Sequence, residues 1–122
     1  KKYDILIPVP IHKKRKKSRG YNQSELIARG ITEIINSVEL RIDLITKMRN
    51  IKPQSTLNKD ERIKNVSDSY RSISGVNLNG KKVLLMDDVY TTGSTMDVLA
   101  KLLLEKGASH VYFLTLCIGN NR

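Results

Sequence analysis

Two adjacent carboxylates, Asp87 and Asp88, end an apolar run and are followed, after Val89 and Tyr90, by Thr91, Thr92, Gly93, Ser94 and Thr95. The order suggests its own chemistry. A hydroxyl-rich turn that opens a helix presents unpaired N–H groups and the positive end of the helix dipole, which suits a phosphate. Gly93 lets the backbone come close, and the threonines and serine add donors. The carboxylates cannot serve the phosphate, because like charges repel. They can accept hydrogen bonds from sugar hydroxyls or support Mg²⁺. Two acids alone, or a Thr/Ser-rich turn alone, would read as an acidic turn before a capped helix. The whole segment from Val83 to Thr95 describes a ribose 5-phosphate site.

The second concentration of chemistry is basic. Lys13, Lys14, Arg15, Lys16, Lys17 and Arg19 fall within seven positions that contain no acid. Such a run makes non-specific phosphate contacts with nucleic acid, or forms a solvated wall beside an anion site. Tyr21, Tyr70 and Tyr90 are the available stacking platforms for bases. His12 stands beside this run and suits either an anion contact or a plain surface position. His110 and Cys117 read as structural.

The elements that must position these groups are legible from periodicity. Tyr3 to Val9 is an apolar, branched run that ends between Pro8 and Pro10, a strand entering a rigid turn. Asn22 precedes Glu25 by three residues, a capping arrangement, and apolar residues at helical spacing predict a helix from Gln23 to Ser37. Ile42 to Thr46 and Ser69 to Ile73 are short strand candidates. Between them, Met48 to Asp68 is polar, basic and aperiodic, longer than an ordinary connection. Asn79-Gly80 predicts a tight turn. Lys82 to Val89 is a buried strand that delivers the two acids. Met96, Leu99, Ala100, Leu102 and Leu103 mark a helix that ends at Gly107, and Val111 to Ile118 is the last strand. Continuous apolar strands alternating with helices predict an α/β domain with a largely parallel sheet, whose ligands sit at the carboxyl ends of the strands.

Two look-alikes fail. Gly75 to Lys81 fits a phosphate-loop spacing, but Lys82 stands where Ser or Thr is required and a strand follows where a helix should. The acidic pair also occurs in receiver domains, but those need several further βα units and only 34 residues follow Asp88.

Composition bounds the rest. The chain has 122 residues, is 39% hydrophobic and 28% charged, and fits one globular domain. No apolar run approaches the ~20 residues that span a bilayer. The single cysteine excludes an internal disulfide and a cysteine-built zinc site. A soluble, cytoplasmic protein is the expectation, read as the C-terminal part of a longer chain because it starts at Lys1. The net charge of +10 points to a polyanionic partner, either nucleic acid or a phosphate-rich small molecule.

The segment Val83 to Thr95 resembles the phosphoribosyl pyrophosphate (PRPP) motif of type I phosphoribosyltransferases. The wider chain is similar to the ComF family of that fold, through PVPIHKKR at Pro8 to Arg15, RGYNQSELIA at Arg19 to Ala28, KPQSTLNKDERIKNV at Lys52 to Val66, and DDVYTTGST. The resemblance implies a type I phosphoribosyltransferase-like fold, with a central largely parallel sheet flanked by helices. It implies PRPP as ligand and Mg²⁺ as cofactor. Asp87 and Asp88 would face the ribose hydroxyls and the metal, directly or through those hydroxyls and water, and Val89 to Thr95 would complete the 5-phosphate site. Val9, Pro10 and Ile11 would form the pyrophosphate loop. The stretch from Met48 to Asp68 would be the mobile loop over PRPP, with Arg49, Lys52 and Arg62 as pyrophosphate ligands. The family's link to natural transformation implies a role in DNA uptake, with single-stranded DNA and other competence proteins as partners, and the fold implies a possible homodimer. The family's N-terminal four-cysteine zinc module has no counterpart here, and no segment is an obvious hood over an accepting base.

Overall fold

The structure, a computed structural model, describes residues 2–11, 17, 20, 22–35, 37–48, 58, 60, 61, 64, 68–73, 75–90 and 94–118, with backbone alone at 88–90, 94 and 116–118. Its elements run β1 (Ile5–Pro8), α1 (Gln23–Ile34), β2 (Glu39–Leu40), β3 (Ile45–Lys47), β4 (Tyr70–Ser72), β5 (Lys82–Tyr90), α2 (Ser94–Glu105) and β6 (His110–Ile118). Four strands form a parallel sheet in the order β2-β1-β5-β6, and β3 pairs with β4 in a separate antiparallel ladder.

The unbroken apolar strands are explained by burial on both faces. Side chains alternate along β1. Ile5, Ile7 and Val9 enter one cluster with Val83, Leu85 and with Met96, Leu99 and Leu103 of α2. Leu6 points the other way, joining Met86 and Ala28 of α1, with Ile27 and Ile31 packed against them. The two helices therefore cover opposite faces of the sheet, the arrangement expected of a parallel sheet whose strands read as continuous hydrophobic runs.

Several boundaries differ from the sequence reading. Helix α1 stops at Ile34, where the Ile35 N–H still donates to the Ile31 carbonyl at 2.8 Å. Ile34 is 84% exposed and not a core residue. Val38 does reach the core, but on the approach to β2 instead of as part of the helix. That two-residue strand carries no periodicity to find; its register comes from β1, through Ile5 with Glu39 and Leu6 with Leu40. The segment expected as a strand at Ile42 to Thr46 forms its ladder at Ile45–Lys47, outside the main sheet.

The turn at Asn79-Gly80 is present, with the Lys81 N–H donating to the Leu78 carbonyl at 2.8 Å and Gly80 at φ 74°. It is clasped to the end of α2. Leu78 N–H donates to Lys106 O at 2.9 Å and Gly80 N–H to Gly107 O at 3.1 Å. Gly107 ends the helix at φ 103°, and a Cβ there would lie 3.1 Å from the Asn79 backbone. Both the left-handed conformation and the close approach demand glycine.

Candidate functional site

A parallel sheet puts the N-termini of its crossover helices at the carboxyl ends of the strands. Here α1 follows β1 and α2 follows β5, so both positive helix ends face the end where β5 delivers Asp87. The two strands are locked at this level: Pro8 is in register with Met86, and the Val9 N–H donates to the Met86 carbonyl at 2.8 Å.

Asn22, 8% exposed, caps α1 by accepting from the Ser24 N–H at 3.0 Å. Its amide also donates to the Val9 carbonyl at 3.2 Å, which ties the turn after β1 to the start of the helix. Ser24 then donates through Oγ to Asp87 Oδ1 at 3.3 Å. From the opposite side comes Tyr70, 6% exposed. Its hydroxyl is hydrogen-bonded to Thr95 in the first turn of α2 and lies within the field of Asp87. Burial pushes the Tyr70 phenol up to about 12; the Asp87 charge adds to the rise and the Thr95 hydrogen bond opposes it. Tyr70 is therefore a neutral phenol at physiological pH. The Lys47 ammonium lies 5.7 Å from the centre of its ring.

Beside Asn22 opens a groove of about 250 Å³, with Pro10, Ile11, Glu25, Ile45 and Lys47 in its walls. The proline-flanked turn thus lines a concavity at the carboxyl end of β1. Glu25 is held by Arg29, one helical turn on, at 3.4 Å.

The structure brings Val9, Pro10 and Ile11, Asp87 and Thr95 to one end of the sheet. Asp88, Val89 and Tyr90 continue the β5 backbone and Ser94 opens α2. Thr91, Thr92, Gly93, Arg49, Lys52, Arg62, His12, Lys13, Lys14, Arg15, Lys16 and Arg19 lie outside the described residues, and Lys17 is exposed. Tyr70 corrects one expectation. Its ring is in the core, so it offers no platform for stacking bases. Ser24, Lys47 and the structural part played by Tyr70 were not found from sequence. The signal for Ser24 was its place directly after a helix cap, which brings it to a strand end.

Among the described residues no three His, Cys, Asp or Glu side chains group into a metal cage. What stands at the end of β5 is a carboxylate with hydroxyl neighbours. That donor set fits the way Mg²⁺ is commonly held, by one or two carboxylates together with ligand phosphates and water. With a helix N-terminus alongside, the site can take a phosphate ester at α2 and a sugar hydroxyl at Asp87.

Residues 15–122 match the phosphoribosyl transferase domain. Competence protein ComFC of Bacillus subtilis is 34% identical over 106 residues, covering 87% of this chain and 40% of that protein. The DNA utilization protein YhgH of Escherichia coli is 33% identical over 114 residues, covering 93% and 49%. Competence protein F of Haemophilus influenzae is 28% identical over 109 residues, covering 88% and 47%. The chain thus spans 40 to 49% of the length of these relatives. Among solved structures, a purine phosphoribosyltransferase of Pyrococcus horikoshii superposes with a TM-score of 0.58 at 22% identity, over 96% of this chain and 62% of that one. A hypoxanthine phosphoribosyltransferase of Staphylococcus aureus gives 0.58 at 16% identity, over 98% and 55%. These two establish the fold.

Proposed function

We propose a function from one premise: the chain belongs to the phosphoribosyl transferase domain family. Its curated relatives are the competence and DNA-utilization proteins to which the sequence was found similar. The reading is a Mg²⁺-dependent PRPP site at the carboxyl end of β5. The observation that carries it is the convergence of Asp87 and Thr95, at the start of α2, on the Tyr70 hydroxyl, in a segment that resembles the PRPP motif.

The site serves either as a catalytic centre or as a non-enzymatic PRPP-sensing scaffold; where PRPP is turned over, little covalent work falls to the chain. The N-terminal turn of α2, with Ser94 and Thr95, holds the 5-phosphate. Asp87 and Asp88 accept from the ribose hydroxyls and hold the metal, directly or through water. Bound Mg²⁺ supplies positive charge to the diphosphate oxygens as they take up the electron pair of the breaking bond. The two carboxylates favour the positive charge that builds at the ribose C1. The turn at residues 9–11, in the groove beside Lys47, receives the pyrophosphate end. Arg49, Lys52 and Arg62 are proposed as its further ligands by position in sequence.

The test is calorimetric titration of PRPP with and without Mg²⁺, beside ribose 5-phosphate and pyrophosphate. Saturable, Mg²⁺-dependent binding is expected, tightest for PRPP and weaker but measurable for ribose 5-phosphate and for pyrophosphate; failure of PRPP or of ribose 5-phosphate to bind would overturn the reading.

A second role follows from the relatives' names and the net charge of +10. Lys13, Lys14, Arg15, Lys16, Lys17 and Arg19 are proposed to contact single-stranded DNA through its phosphates. The two roles are compatible, one in a pocket and the other on a surface.

A further inference from the structure

Asp87 and Thr95 are each met by a hydroxyl from outside the acidic and Thr-rich segment. Ser24 reaches its Oδ1 at 3.3 Å across 63 positions of sequence. Ser24 is buried, and its place is fixed through Asn22 to the turn after β1. Tyr70, from the separate β3-β4 ladder, places its hydroxyl on Thr95 and beside Asp87. The core gains nothing from either oxygen. Phenylalanine would fill the space of the Tyr70 ring and alanine that of Ser24, with no polar atom to satisfy.

We propose that Ser24 and Tyr70 are positioning residues, which fix the Asp87 carboxylate and the Thr95 hydroxyl in the arrangement that takes a sugar phosphate and so favour ribose 5-phosphate over bare diphosphate. The inference rests on the ribose-phosphate reading above. Its physical basis is preorganisation. An aspartate at a strand end can occupy several rotamers, and selecting one during binding costs affinity. The Ser24 contact removes that cost at Asp87, and the Tyr70 hydrogen bond does the same for the Thr95 hydroxyl, before the ligand arrives. Because Tyr70 is a neutral phenol, it stands beside Asp87 without charge repulsion.

The test titrates the protein with ribose 5-phosphate and with pyrophosphate, each with Mg²⁺, for the unchanged chain and for Ser24→Ala, Ser24→Thr and Tyr70→Phe, with Tm measured for each. Loss of about 5- to 30-fold in ribose 5-phosphate affinity is expected for Ser24→Ala and Tyr70→Phe, with pyrophosphate affinity held within about twofold. Ser24→Thr should recover most of the loss. Combining Ser24→Ala with Asp87→Asn should cost little beyond Asp87→Asn alone, because Ser24 acts through that carboxylate. If the unchanged chain does not bind ribose 5-phosphate, the ribose-phosphate reading fails and takes the proposal with it. If it binds and both variants match it, the proposal alone fails. Equal losses for both ligands, or losses that follow Tm, would assign the two hydroxyls to structure only.

Discussion

Asp88 is the residue on which the proposed ribose contact is most directly tested. Asp88→Asn keeps the shape of the side chain and removes its charge. PRPP affinity should fall about tenfold or more, the cost of losing charge-assisted hydrogen bonds, with little change in Tm. Unchanged affinity in titration would remove Asp88 from the site. Tyr70 makes a prediction of a different kind. Its phenol lies near 12 when folded, against an ordinary value of 10. The unfolded chain therefore loses this proton first, so the stability it lends is intact below pH 10 and lost as pH rises toward 12. The two-unit displacement corresponds to about 2–3 kcal/mol. Urea unfolding should show the unchanged protein losing stability relative to Tyr70→Phe across that window; parallel curves would contradict it. The acidic pair and the threonines were open to proposal from sequence alone, because their chemistry is local. Ser24 and Tyr70 were not, because each acts on a partner that only the fold brings near. Nothing around Tyr70 in sequence separates a buried phenol from a surface one.

At the scale of elements, the strands and helices that bury a face were legible, β4 fell within the strand expected at Ser69 to Ile73, and β2 was missed. Strands β1, β5 and β6 announced themselves as apolar runs. The two residues of β2 have no pattern apart from their register with β1. The end of α1 was misplaced because Ile34 and Ile35 extend the apolar period into solvent. Ile34→Ala should therefore change stability by no more than about 0.5 kcal/mol, whereas Leu99→Ala, in the fully buried row of α2, should cost about 2–5 kcal/mol by chemical unfolding. Comparable losses at the two positions would refute this account of the faces. Gly107→Ala meets both a φ of 103° and the Asn79 backbone at 3.1 Å. A loss of about 1–3 kcal/mol is expected, since the residue must either strain or release the clasp between α2 and the Asn79-Gly80 turn.

For the whole molecule, charge is the dominant property. A net of +10 draws any polyanion toward the protein before a specific contact forms. Binding to single-stranded DNA should weaken steeply with added salt. Replacing Lys13, Lys14, Lys16 and Lys17 by alanine should flatten the logarithmic salt slope by about 0.7 for each phosphate no longer neutralised. An unaltered slope would move the DNA-binding face elsewhere. Composition alone could not choose between DNA and a sugar phosphate, because both are recognised through phosphate. The proposal of a sugar-phosphate pocket rests on the order of residues around Asp87, and the proposed DNA-related role on the basic run and on the names of relatives that match most of this chain. Among the described residues no helix is long and apolar enough to cross a membrane.

The Met48 N–H meets the Ser69 carbonyl at 2.6 Å, next to the β3-β4 ladder. Met48 and Ser69 are therefore paired one step beyond the end of that ladder. A segment anchored this way can change length without disturbing the register of the main sheet. A change of length between Met48 and Ser69 should thus leave the strands that carry Asp87 and Asp88 aligned, while it would displace the proposed pyrophosphate ligands Arg49, Lys52 and Arg62.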